Sequence, residues 1–201
     1  MAVKSSFKNM TLCLLAICLV CSALLAGVYA LTKEPIAKAT AAKNEAAIKE
    51  VLPETVVAIE EERTVEMSGV KYTYNLGYDK DGNTAGCAVN VRTTGFGGPI
   101  DIKVGFDENG VIWNTKVLSQ SETPGLGAKC VEPAFADQFR NLDPQEITLG
   151  LKKDKGDIDA ITASTITSKA YVKGIETAVY VFATIAGTPM ELDTCTGAST
   201  N

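Results

Sequence analysis

The sequence predicts an α+β fold: a mainly antiparallel sheet with flanking helices, preceded by one N-terminal transmembrane helix. Three observations predict it. Six short β-like runs follow one another from residue 55 to residue 118, with turn residues between them and no βαβ alternation. From Thr165 to Ala186, the residues Tyr171, Ile175, Ala178, Val179, Phe182, Ile185 and Ala186 recur at spacings of three and four, the helical period. No charged residue stands between Lys8 and Lys33.

That gap holds the 24 positions from Asn9 to Thr32, dominated by Leu, Ala, Val, Ile and Cys. About 20 apolar residues cross a bilayer as a helix. Lys4 and Lys8 precede the gap, so the positive-inside rule puts residues 1–8 in the cytoplasm. The expectation is a single-pass protein of the inner (plasma) membrane whose main domain is extracytoplasmic, on the periplasmic side. A cleaved signal peptide is the rival, because Val28-Tyr29-Ala30 has a small-x-small form. The apolar run exceeds the usual core of about 7–15 residues in such peptides, which favours an uncleaved anchor. Leu19-Val20-Cys21 is a poor lipoprotein signal, since Val precedes the Cys. All three readings send the bulk of the chain across the membrane. The expected organisation is an anchor over 1–32, one domain over 33–190 and a tail over 191–201.

Beyond the anchor, Thr40 is positioned to cap an Ala-rich helix from Ala41 to Val51, and Pro53 stops it. The β-like runs are Thr55–Glu60, Thr64–Met67, Val70–Tyr78, Gly86–Thr93, Ile100–Phe106 and Val111–Leu118. Asp81-Gly82-Asn83 and Glu108-Asn109-Gly110 are turn signals between them. Glu132 to Phe139 has helical character with Phe135 and Phe139 on one face, and Gln145 to Leu149 reads as a further strand. Lys152-Lys153-Asp154-Lys155 reads as a solvated loop. Tyr72, Tyr74 and Tyr78 alternate as packing residues of a strand. Gly187 and Pro189 end the last helix, and Gly197 to Asn201 is a frayed tail.

The net charge is −5, and all 24 acidic residues but only 17 of the 19 basic ones follow the anchor. An acidic domain without a basic cluster argues against nucleic acid as a partner. The chain has no His, which excludes Ser-His-Asp and Cys-His catalysis and removes the commonest metal and haem ligand. Electron transfer through a cofactor needs no such group. Cys18 and Cys21 have metal-like spacing but lie in the apolar segment. Cys87, Cys130 and Cys195 are too far apart for a zinc or iron–sulfur knuckle. No metal site is expected.

The motif with the most chemistry is Thr162-Ala163-Ser164-Thr165-Ile166-Thr167-Ser168, at the start of the last helix. Ser and Thr are ordinary N-caps. A helix N-terminus also presents unpaired N–H groups and partial positive charge, which favour a phosphate. Spacing alone does not choose among Ser164, Thr165, Thr167 and Ser168 as the hydroxyl nearest such a group.

With Asp157-Ile158-Asp159-Ala160-Ile161 before it, the stretch resembles the flavinylation motif of the FMN-binding domain family, Ser/Thr-Gly-Ala-Ser/Thr-x-Thr. In that family the last Thr carries FMN through a phosphoester. Two positions depart from the pattern. Ala163 replaces Gly and adopts φ > 0 less cheaply, and Ser164 replaces Ala. Two further loops follow the family order: Thr94-Gly95-Phe96-Gly97-Gly98-Pro99-Ile100, and Glu122-Thr123-Pro124-Gly125-Leu126-Gly127. Together they resemble the G subunit of the Rnf electron-transport complex and the related C subunit of sodium-pumping NADH:quinone reductase. The length is closer to the compact G subunit.

The resemblance implies covalent FMN on Thr167, with Thr165 and Ser164 donating hydrogen bonds to its phosphate. It implies Glu122, Thr123, Leu126 and Gly127 as contacts on the ring side of the flavin. A His often precedes this run in the family, and Ser121 stands there instead. It further implies electron transfer within an ion-translocating complex linking ferredoxin and NAD⁺. The partners would be the other membrane and redox subunits, and an FAD-dependent flavin transferase for maturation. The alternatives are the quinone-reductase C subunit and a secreted non-redox binding module whose helix start merely caps itself or holds a free phosphate.

Overall fold

The computed structural model describes residues 7–187. They divide into two compact units between Lys43 and Asn44. The first helix, α1 (Phe7–Val51), is continuous across that boundary in sequence. It is long and apolar enough to cross a membrane, with a mean hydropathy of 2.6 over its most apolar window. Its buried residues are Ala47, Ile48 and Val51, all in the last turns. The separate helix expected from Thr40 is corrected. Pro35 lies inside one unbroken helix, and the Thr40 hydroxyl donates back to the Ile36 carbonyl at 2.9 Å instead of capping. Good helix formers on both sides of Pro35 carry the helix past the single backbone hydrogen bond that Pro removes.

The second unit is an antiparallel sheet of β1 (Ala58–Ile59), β2 (Arg63–Met67), β3 (Val70–Tyr78), β4 (Thr84–Thr94), β5 (Pro99–Asp107) and β6 (Ile112–Gln120). The order is β1-β3-β4-β5-β6, with β2 paired to β3 beside β1. The expected strands are found, the first shortened to two residues. A short helix α2 (Pro133–Ala136) and a 3-10 turn (Asp137–Phe139) occupy the segment read as helical, and Phe135 and Phe139 are both buried. Gln145–Leu149 is not a strand. The Asp143 carboxylate accepts from the Gln145 N–H at 2.8 Å and its carbonyl from Glu146 N–H at 3.2 Å, and this turn holds the segment out of the sheet.

The last helix, α3 (Thr165–Ala186), has the bounds its periodicity predicts. Gly187 closes it in the left-handed region, donating to the Ala183 carbonyl. Pro189, Cys195, the tail and residues 1–6, including Lys4, lie outside the described residues.

Each strand shows alternate residues to opposite faces. On one face Val89, Val91, Ile100, Ile102, Val104 and Phe106 meet Tyr171, Ile175, Ala178, Val179 and Phe182 of α3 in one buried core. Phe106 and Phe182 stack with centroids 4.8 Å apart. Tyr171 meets Phe135 and Phe139 at 5.2 and 5.1 Å, and its hydroxyl shares a 2.8 Å hydrogen bond with Thr115. This packing fixes the N-terminal end of α3, because Tyr171 stands one turn after Thr167.

Candidate functional site

Three loops meet at the start of α3. The β4–β5 hairpin loop brings Phe96 and is closed by the Gly95 N–H on the Gly98 carbonyl at 2.8 Å. The segment after β6 brings Glu122, Thr123 and Leu126, then a 3-10 turn from Gly127 to Val131. The turn before α3 brings Ala163 and Ser164. With Thr165, Ile166 and Thr167 these residues line one cavity of about 450 Å³. All seven positions singled out from sequence, Ser164, Thr165, Thr167, Glu122, Thr123, Leu126 and Gly127, are therefore brought together. Sequence reasoning missed Phe96 and Ile166. Both are exposed apolar side chains, at 72% and 54%, which with Leu126 rim the cavity. The available signal was a bulky aromatic inside a glycine-rich loop, and an Ile out of phase with the buried stripe of α3.

The turn into α3 is shaped for close approach. Ala163, where the family pattern has Gly, adopts φ +60. The strain of a left-handed Ala is therefore present in this fold. Ser164 is the N-cap residue, but no side chain caps the helix. The first N–H groups of α3, which have no partner within the helix, are left for a ligand. Gly127 faces them. A Cβ there would run into Glu122 Oε2 and lie 2.7 Å from Thr167 Oγ1, so only Gly fits.

The hydroxyls are not equivalent. Ser168 is fully used: its Oγ accepts from the Ile161 N–H and donates to the Ser164 carbonyl, both at 2.9 Å. It ties the turn to the helix. Thr167 is 1% exposed, and its Oγ1 donates to Glu122 Oε2 at 2.7 Å. Glu122 is 6% exposed, and its Oε1 accepts from the Gly97 N–H at 3.0 Å. Glu122 was expected on the ring side of the flavin. Its carboxylate lies against the hydroxyl expected to bear the phosphate. Burial first, and the Glu122 carboxylate second, push the nearby Cys130 thiol up to about 11, so it stays protonated at neutral pH. Tyr72, Tyr74 and Tyr78 do not line this cavity. The first two pack against the core, and the Tyr78 hydroxyl donates to Glu60 Oε2 at 2.9 Å.

Residues 95–180 match the FMN-binding domain, and residues 1–51 match the RnfG N-terminal region. The chain is 32% identical to the G subunit of the ion-translocating oxidoreductase complex of Methanosarcina acetivorans, over 80% of this chain and 86% of that protein. The chain belongs to the Rnf G-subunit family. It is also 35% identical to the G subunit of the proton-translocating ferredoxin:NAD(+) oxidoreductase complex of Clostridium ljungdahlii, over 54% of this chain and 59% of that one. A solved structure, the C subunit of Na(+)-translocating NADH-quinone reductase from Parabacteroides distasonis, superposes with a TM-score of 0.51 at 19% identity, over 74% of this chain and 85% of that one. That likeness shows the fold. The FMN-binding match spans all three loops and the start of α3. The cavity of this member of the Rnf G-subunit family suits FMN on four counts. It has the volume of a small cofactor site, an uncapped helix start for a phosphate, a glycine cradle, and an apolar rim for an aromatic ring.

Proposed function

We propose that this chain is a membrane-anchored electron-transfer subunit of an ion-translocating ferredoxin:NAD oxidoreductase complex, with FMN held by a phosphoester on Thr167. The observation that carries this reading is the convergence of the motif hydroxyls, the uncapped start of α3 and the Gly127 cradle on one cavity. The names of the relatives support the complex, and the apolar stretch of α1 supports the anchor.

The N–H groups at the α3 start, with the hydroxyls of Ser164 and Thr165, hold the phosphate. Phe96, Leu126 and Ile166 shield one side of the ring from water. FMN, when bound, supplies one- and two-electron redox chemistry. A covalent bond prevents loss of the cofactor on the outer face of the membrane, away from cytosolic flavin. The sequence has no dinucleotide-binding fingerprint, so the protein alone has no turnover with NADH. Maturation uses a flavin transferase with FAD and Mg²⁺.

The test is in-gel flavin fluorescence after SDS denaturation. The wild-type band fluoresces and Thr167→Ala is dark. Protease added to spheroplasts removes the fluorescent domain if it faces outward. A fluorescent Thr167→Ala band overturns the attachment site, and a fully protected band overturns the orientation.

A further inference from the structure

We propose that Glu122 is the base that activates Thr167 for modification, taking the hydroxyl proton as the phosphoester forms. This rests on the reading of Thr167 as the attachment site. The geometry is that of a nucleophile already paired with its proton acceptor. Thr167 Oγ1 donates to Glu122 Oε2 at 2.7 Å, within the range in which a general base abstracts a proton. The acceptor is held still. The Gly97 N–H fixes its other oxygen, and the Glu122 N–H donates to Gln120 Oε1 at 2.6 Å.

Three further observations favour a chemical role over a packing one. A buried carboxylate without a cation is costly, and none of the ion pairs among the described residues involves Glu122. The chain has no His, so no imidazole of its own can take the proton. Among the hydrogen bonds of the described residues, Thr167 is the hydroxyl at the helix start that donates to a carboxylate. Ser168 spends its hydroxyl on the backbone. The arrangement therefore also selects which of four neighbouring hydroxyls reacts.

The step balances as follows. Thr167 Oγ1 attacks the flavin-side phosphorus of a flavin dinucleotide presented by the transferase. An Oγ–P bond forms, and the P–O bond of the pyrophosphate breaks. The nucleoside monophosphate leaves with that electron pair, and the Thr167 proton passes to Glu122 Oε2. No electron transfer is involved. Once esterified, Thr167 has no proton left to donate to Glu122.

The experiment is a time course of flavin attachment to the purified full-length chain by a flavin transferase with FAD and Mg²⁺, read by in-gel fluorescence and intact mass. Removing a general base costs about 10²–10⁴-fold. Glu122→Gln is expected to lower the rate constant by at least about 10²-fold at unchanged half-saturation by the acceptor chain. Glu122→Asp recovers part of the rate, because the carboxylate remains. A Glu122→Gln rate equal to wild type, with Thr167→Ala unlabelled, overturns the base and leaves the attachment site standing. Label on Thr167→Ala overturns the attachment site itself. If Glu122→Gln does not fold, Glu122→Asp decides: a lowered rate constant at unchanged half-saturation supports the base, and weakened half-saturation at an unchanged rate constant overturns it.

Discussion

The two faces of the sheet solve the same burial problem in opposite ways. On the α3 face, Val89, Val91, Ile100, Ile102, Val104 and Phe106 interlock with the helix, and Phe106 stacks on Phe182. On the other face, the strand register brings Ala88 opposite Gly105, Asn90 opposite Lys103 and Lys103 opposite Lys116. Its cover is the end of α1 through Ile48 and Val51, with Leu52 just after it, a far smaller apolar cluster. The backbone comes so close that a Cβ on Gly105 would collide with the Val51 carbonyl. The buried side-chain polar atoms without a partner among the described residues are Asn44 Oδ1, Asn75 Oδ1, Asn90 Oδ1 and Lys103 Nζ. Asn75, Asn90 and Lys103 lie on this face, and Asn44 stands one turn before Ile48 on the helix that covers it. The face that positions the site is packed for rigidity, while the other tolerates unpaired groups.

Breaking the rigid face has the largest expected effect. Phe106→Ala removes a fully buried ring from between β5 and α3, and large-to-small changes of this kind cost about 3–5 kcal/mol. Denaturant unfolding of the full chain in detergent measures it. A loss below about 1 kcal/mol, far under that range, would mean that this contact does not clamp α3.

The polar face gives the opposite sign. Burial lowers the Lys103 ammonium from 10.5 to about 8, against a weaker upward pull from the Glu62 carboxylate. Between those values the unfolded chain binds more protons than the folded one. The cost of burying Lys103 is thus fully present below about pH 8 and is relieved as pH rises toward 10.5. The buried thiols act in reverse. Burial pushes Cys87 up to about 12 and Cys130 up to about 11, from an ordinary value of 9.0, so stability declines with pH once unfolded thiols ionise. A rise in stability between about pH 8 and 9 therefore belongs to Lys103. Lys103→Met should stabilise the chain at pH 7 by about 1–3 kcal/mol and flatten that rise. Melting temperatures of both proteins across this window decide it, and an unchanged slope would remove Lys103 as the cause.

The contrast also marks what was legible in sequence. β3 and α3 have the bounds their alternation and helical period predict, because turn glycines such as Gly69 and Gly187 punctuate them. That the seven candidate residues would line one cavity was legible because their order in the chain follows the family pattern. The Glu122–Thr167 hydrogen bond was not, since its partners are 45 residues apart and no local rule links them. The polar face was hidden for a similar reason. Lys103 interrupts an apolar strand, and its full burial depends on what packs over that face, which no pattern within the strand reveals. Thr40 and Gln145–Leu149 misled in the other direction. There, helix continuity and a side-chain turn at Asp143 outweighed a reading based on residue type.

The smallest expected effect tests what holds the end of α1 to the polar face. Lys116 Nζ lies 2.7 Å from Glu50 Oε1, with both side chains about half exposed. Asn114 Nδ2 donates to the Glu50 carbonyl at 3.1 Å in the same place. An ion pair this open to solvent is worth about 0.2–1 kcal/mol, and salt screens it. Lys116→Ala should therefore cost less than about 1 kcal/mol, and the difference from wild type should fade at high ionic strength. Denaturant midpoints at low and high salt measure both. A loss above about 2 kcal/mol, beyond the range of exposed pairs, would reverse the account of this face. The end of α1 would then be fastened by charge, and the contact of Val51 over Gly105 would be its consequence.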